Sequence, residues 1–168
     1  EVPIRQLATI LETLGDYAPR TKDPIWLAEY SRHRLARTLC SRLSDEQNAI
    51  HVVTLDPALE DRINTGIEHN ERGLFVRMSP PAIDTTCELI ASQLQVLTRE
   101  NHVPILLVSP QIRPGLRQIT SANLPQLHIL SYNEITRDTR IESHGIVQDM
   151  TASPTSSSPN SQRDETKQ

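Results

Sequence analysis

Glycine is scarce in this chain, at 5 of 168 residues. No G-x-x-x-x-G-K run exists, which excludes a phosphate-cradling loop of that type. Aromatic residues make up only 3% and hydrophobic residues 36%, so the core must be aliphatic and of moderate size. No apolar run approaches the ~18 residues needed to cross a bilayer. Glu1-Val2-Pro3 lacks the basic-then-apolar pattern of a secretory leader. It also lacks an initiator Met, and we read Glu1 as a boundary within a longer protein. There is no excess of positive charge. The formal net charge is -4 and the pI about 5.9, which argues against a nucleic-acid partner. Cysteine is limited to Cys40 and Cys87, far apart and without metal spacing. They read as buried or half-buried thiols of a reducing compartment.

The chain is organised around the strand–cap–proline grammar of an α/β protein. Ile105–Val108 is an unbroken apolar run, as expected of a strand covered on both faces. Ser109-Pro110 reads as its stop and as the cap and first residue of a helix. Ile50–Leu55 runs into Asp56-Pro57 in the same way, and Ser79-Pro80 is a third copy. These three punctuations predict α/β layering.

Before them comes a helical region. A helix from Val2 to about Gly15 carries Ile4, Leu7, Ala8, Leu11 and Leu14 on one face. Asp23-Pro24 starts a second helix, with Leu27, Tyr30 or Ser31, Leu35, Leu39 and Leu43 on one side. Arg32, Arg34, Arg37 and Arg42 lie on the other, read as a solvated face. Two helices alone bury too little to be stable, so this region needs a neighbour.

Further along, Glu68–Gly73 reads as a turn and Leu74–Val76 as a short strand. A long helix from Pro80 ends at Asn101-His102. Another carries Ile112, Leu116 and Ile119, with Pro114 as a kink. Leu127–Leu130 is a short strand, and Arg140–Val147 an edge strand. The fold class is therefore α/β, or α+β overall. A helical subdomain (1–45) precedes a small mixed α/β subdomain with a short sheet (46–148), and a disordered Ser/Pro-rich tail follows (149–168).

The chemistry-bearing residues assemble no catalytic constellation. Asp56 sits where a carboxylate or Mg²⁺ ligand would, but with no visible second acid it reads as a helix cap. Ser109 lacks the flanking glycines of a nucleophile elbow and also reads as a cap. Arg113 and Arg117 suit an anion at a helix start, against the plainer reading of an exposed basic face. The histidines (His33, His51, His69, His102, His128 and His144) include no i, i+4 pair and read as scattered surface or semi-buried residues. No catalytic, cofactor-binding or metal residue is assigned. The alternative function is a stand-alone α/β enzyme using Asp56 or Ser109, or an anion-binding regulatory domain using Arg113 and Arg117.

Three blocks carry a resemblance. They are Val2-Pro3-Ile4-Arg5-Gln6-Leu7 with the run from Ile10 to Pro24; Val53-Thr54-Leu55-Asp56-Pro57 with Leu59-Glu60; and Pro104–Pro110, Ile112-Arg113-Pro114 and Leu127–Ile135. Together they resemble, in order, the type III secretion and flagellar export-gate family (FHIPEP, LcrD/HrcV-like) in its C-terminal cytoplasmic part. Gln6 stands where that family has an acidic residue, and Gly15 where Ala is usual. The resemblance implies a non-enzymatic subunit of the bacterial inner membrane. It implies a membrane region N-terminal to this portion, which is itself cytoplasmic. It further implies a homo-oligomeric ring, described as nonameric, that contacts other export-apparatus proteins and docks secretion chaperone–substrate complexes, without cofactors. The polar residues of the first block, Arg5, Arg20, Lys22 and Asp23, are the expected subunit interface.

Overall fold

The structure is a computed structural model describing residues 6–70 and 73–148. Val2, Ile4 and Arg5, and the predicted tail 149–168, lie outside the described residues. Helix α1 (Leu7–Tyr17) runs straight through Gly15, two residues past its expected end. Helix α2 (Pro24–Arg34) starts where Asp23-Pro24 places it, with the Asp23 carboxylate accepting the Ile25 N–H at 2.8 Å.

The predicted second helix is two helices. It breaks at Leu35, whose backbone (φ −93°, ψ 10°) leaves the helical basin before α3 (Ala36–Leu43) begins. The break lets Leu35 and Cys40 both be buried, which one straight helix of this sequence does not provide.

Four parallel strands form the main sheet in the order β5-β4-β1-β6: β1 (Ala49–Leu55), β4 (Ile105–Val108), β5 (His128–Ser131) and β6 (Arg140–Val147). The Ile105–Val108 run is buried on both faces, as its apolar continuity predicts. One sheet face carries Val53, Leu55, Leu106, Val108 and Ile129. It packs against α4 (Pro57–Thr65), α5 (Pro80–Arg99) and α6 (Arg113–Thr120) through Leu59, Ile63, Ile90, Leu94, Leu97 and Leu116. The other face carries Ile50, Val52, Ile105, Leu107 and Leu130 under Cys40 and Leu43 of α3. Val52 and Val53 face opposite layers by the ordinary alternation of a strand. Between them the β6 partner jumps from Ser143 to Gly145, leaving His144 as the extra residue of a bulge.

Of Glu68–Gly73, read as a turn, the described residues are instead strand: β2 (Ile67–Asn70) pairs antiparallel with β3 (Gly73–Val76), and residues 71–72 lie outside the described residues. Cross-strand pairing decides that segment over its polar composition. Gly73 is at φ +115°, a backbone conformation in which a side chain would be strained. Ser79-Pro80 does open α5, but the Ser79 side chain makes no cap hydrogen bond. Ser109-Pro110 opens no helix: α6 begins at Arg113, and Pro114 sits in its first turn rather than kinking it.

Candidate functional site

Asp56 is a cap. Its carboxylate accepts the Ala58 N–H at 3.0 Å at the start of α4. Ser109 is not one. Its N–H and hydroxyl both donate to the Glu60 carboxylate, at 3.0 and 2.9 Å, pinning the end of β4 to α4. Asp56 is thus engaged as a cap, and the Ser109 hydroxyl in a tie between β4 and α4. Asp56→Ala should therefore cost about 1 kcal/mol of stability, and Ser109→Ala a similar amount through the lost hydroxyl bond to Glu60, the backbone N–H contact remaining. Urea unfolding of both variants checks this.

Arg34, Arg37 and Arg42 are exposed, as their reading as a solvated face expects, but Arg113 and Arg32 are placed quite differently. Arg113 is 6% exposed. Its Nε donates to Glu29 Oε2 at 2.6 Å, Nη2 pairs with Glu29 Oε1, and Nη1 donates to the Ile129 carbonyl at 3.3 Å. Arg32 leaves its expected solvated face. Its Nε lies 2.7 Å from Oε1 of Glu134, an ion pair rather than an aligned hydrogen bond, and its Nη2 donates to the Ile129 carbonyl. Glu134 is 2% exposed and also accepts the Ser131 N–H and hydroxyl at 2.7 and 2.8 Å, in a 3-10 turn over Tyr132–Glu134. Arg117 is exposed and donates to the Leu127 carbonyl at 3.2 Å. These three arginines line a cavity of about 200 Å³, but two of the charges there are already matched by Glu29 and Glu134. The anion-binding reading loses its two-arginine pair. What the cations do instead is clamp α2 onto the β5 end of the sheet.

That clamp leaves α1 with its apolar face outward. Leu7 is 50% and Leu11 58% exposed, and Ala8 is exposed with them. Among the described parts of α1 only Thr13 is buried. Tyr17 of α1 stacks on Tyr30 of α2, ring centroids 4.1 Å apart, so α1 is held by its C-terminal end. Of the expected interface residues, Arg20 and Lys22 are exposed, Arg20 lying 5.8 Å from the Tyr17 ring centre. Asp23 is half-buried at the α2 cap, and Arg5 lies outside the described residues.

A second grouping was invisible in the linear spacing. His51, His102 and His144, read as scattered, converge from β1, the α5–β4 connection and β6. They are 12%, 29% and 20% exposed at the side chain. Both thiols are free and buried, and burial pushes the Cys87 thiol up from its ordinary value.

A helical lead is thus clamped by ion pairs onto a small parallel sheet, with one helix face left open. A sequence profile of the FHIPEP family matches residues 1–140, and the chain belongs to that family. Flagellar biosynthesis protein FlhA of Bacillus subtilis (strain 168) is 33% identical over 147 residues, covering 88% of this chain and 22% of that protein. A solved structure of the Chlamydia pneumoniae CdsV and CdsO protein complex superposes with TM-score 0.77 at 28% identity, covering 88% of this chain and 44% of the matched one. The nonameric EscV cytosolic domain of a type III secretion system superposes with TM-score 0.68 at 26% identity, covering 90% and 44%. The chain thus spans about a fifth of the length of the curated relative and under half of the solved domains. Among the described residues, no helix is long and apolar enough to cross a membrane.

Proposed function

We propose that this chain is a portion of the cytoplasmic region of a bacterial export-gate subunit. In this reading it works by assembly into a homo-oligomeric ring and by docking export-apparatus proteins and secretion chaperone–substrate complexes. The subunit is anchored in the inner membrane through sequence outside this chain. It performs no bond chemistry of its own. The observation that carries the reading is the uncovered α1 face, Leu7, Ala8 and Leu11. A face of that kind on a marginal helix is stabilised only by a partner. The nonameric EscV domain supports a second copy of the chain as that partner, and the CdsV–CdsO complex supports export-apparatus contacts. Arg20, Lys22 and Asp23, with Arg5, are the polar rim of the subunit contact in this proposal.

The test is assembly of a chain extended at its N-terminus, followed by sedimentation and electron microscopy. Half-burying two leucines contributes roughly 1–1.5 kcal/mol each. Leu7→Asp with Leu11→Asp should therefore weaken assembly about 30-fold or more, while Arg20→Ala changes it only a few-fold. Unchanged ring formation in the double variant would remove α1 from the interface. A separate pull-down with secretion chaperones tests docking. Failure to retain any chaperone by an assembled ring would end that half of the reading.

A further inference from the structure

The His51, His102 and His144 rings and their surroundings are the least explained feature of the molecule. His51 Nδ1 faces His144 Nε2 at 2.8 Å. The far nitrogen of each ring is already on a carboxylate: His51 Nε2 lies 3.1 Å from Asp45 Oδ2, and His144 Nδ1 lies 3.0 Å from Glu100 Oε2. A neutral imidazole has one N–H. If each ring spends it on its carboxylate, the two facing nitrogens are both bare lone pairs. Two lone pairs 2.8 Å apart repel unless a cation lies between them. His102 closes the group. It stacks on His51 with ring centroids 3.6 Å apart, and its ring centre is 5.4 Å from that of His144. One ligand nitrogen from each of the three lies within 4.8 Å of the others. Glu142 adds a third carboxylate, 3.6 Å from His51 Nδ1, and is itself paired with Arg140 at 2.8 Å. A cavity of about 180 Å³ opens beside the group, lined by Asp45, His51, Asn101, His102 and Val103 among others.

We propose that His51, His102 and His144 bind a divalent late-transition-metal ion, Zn²⁺ being the biological choice. Three neutral imidazoles with an open position is a donor set that such ions favour over Mg²⁺ or Ca²⁺, which take oxygen ligands. Zn–N bonds of about 2.0–2.1 Å around a tetrahedral centre put ligand nitrogens about 3.3 Å apart. His51 and His144 need to part by only a few tenths of an ångström. His102 has further to swing, and it is on the connection between α5 and β4 rather than inside an element. Asp45 and Glu100 then act as the carboxylates that hold the outer N–H of His51 and His144, a pairing that fixes tautomer and ring direction. Partial exposure of all three rings leaves water the fourth position. Asp45 is itself fixed in place, its other oxygen accepting the Gln47 and Ala49 N–H groups at 2.8 and 2.9 Å. Binding would tie the edge strand β6 to β1 and to the turn after α5.

The 168-residue chain, stripped with chelator and dialysed, is titrated with Zn²⁺ by calorimetry, and with Co²⁺ while its visible absorption is followed. One ion per chain is expected. A hundred-fold excess over Kd should raise Tm by roughly 5–10 °C. The combined variant His51→Gln, His102→Gln, His144→Gln should weaken binding at least 100-fold, and His33→Gln, an exposed histidine elsewhere, should leave it unchanged. Circular dichroism checks folding. If the triple variant does not fold, long-range ¹⁵N–¹H spectra of the unsubstituted chain decide, with metal-dependent shifts expected at His51 Nδ1 and His144 Nε2. Equal affinity in the folded triple variant would overturn the proposal. So would spectra that respond to pH but not to metal, since a shared proton would then be the cation between the rings.

Discussion

Arg113→Ala should destabilise the chain by roughly 3–5 kcal/mol, the cost of leaving a buried carboxylate without its partner. The Arg113 and Glu29 side chains are 8% and 16% exposed, so water cannot replace what the guanidinium supplies. The loss is chiefly the desolvation that Glu29 keeps; the Ile129 carbonyl gives up the Nη1 donor but still accepts from Arg32 Nη2. Glu29→Ala should cost less, because Arg113 keeps that carbonyl. The double variant Glu29→Ala, Arg113→Ala should recover part of the loss, since neither charge is then stranded. Chemical unfolding of the three variants measures the cycle. A single-variant cost below 1 kcal/mol would mean that the pair is solvated in practice, and that α2 is held by packing alone. A functional consequence follows from position. Arg113 opens α6 and Glu29 lies in α2, so cutting the pair loosens the helical lead that presents α1. On the proposed function, assembly should fall along with stability.

Leu106→Ala should cost roughly 3–4 kcal/mol through lost burial and the cavity left behind. Leu106 is 0% exposed and pairs in register with Val53 on one side and Ile129 on the other. It sits in the layer filled by α4, α5 and α6, whose residues cannot close over a missing side chain without moving a helix. Leu106→Ile keeps the volume and should cost less than 1.5 kcal/mol. Comparable losses for the two variants would show that side-chain shape, rather than volume, dominates there. Thermal unfolding followed by circular dichroism distinguishes the two.

The elements that sequence made legible share one property: their signal is local. Ile105–Val108 and Ile50–Leu55 are apolar runs that need no partner to be recognised. Asp23-Pro24 and Asp56-Pro57 carry both the cap and the first-turn proline within two residues. The family was legible for the same reason, since its blocks are contiguous.

What stayed hidden depends on partners far along the chain. Arg113 looks like a surface cation until Glu29, 84 residues away, is placed beside it. Ser109 passes for a cap until Glu60 of α4 reaches it. The break at Leu35 has no Gly or Pro to announce it, and is set by what Leu35 and Cys40 must bury. The polar Ile67–Asn70 segment becomes a strand only because Gly73–Val76 pairs with it. His51 and His144 are 93 residues apart, and no spacing rule along one helix can bring them together. The sequence predicts that the helical lead needs a neighbour and places the contact at Arg5, Arg20, Lys22 and Asp23; that Leu7 and Leu11 of α1 stay exposed is visible only once α2 and the sheet are in place.

The order of strands in the main sheet also bears on how the polypeptide matures. Among the described strands β1 comes first in the chain, yet both its hydrogen-bonding neighbours follow much later, β4 some fifty residues on and β6 after every other described strand. A nascent chain that has reached β4 still has one side of β1 bare, and nothing shorter than Val147 can close it. Pairings this distant in sequence are slow to form. The β1–β6 seam, which finishes the outer edge of the sheet, is therefore completed late in the folding of this segment.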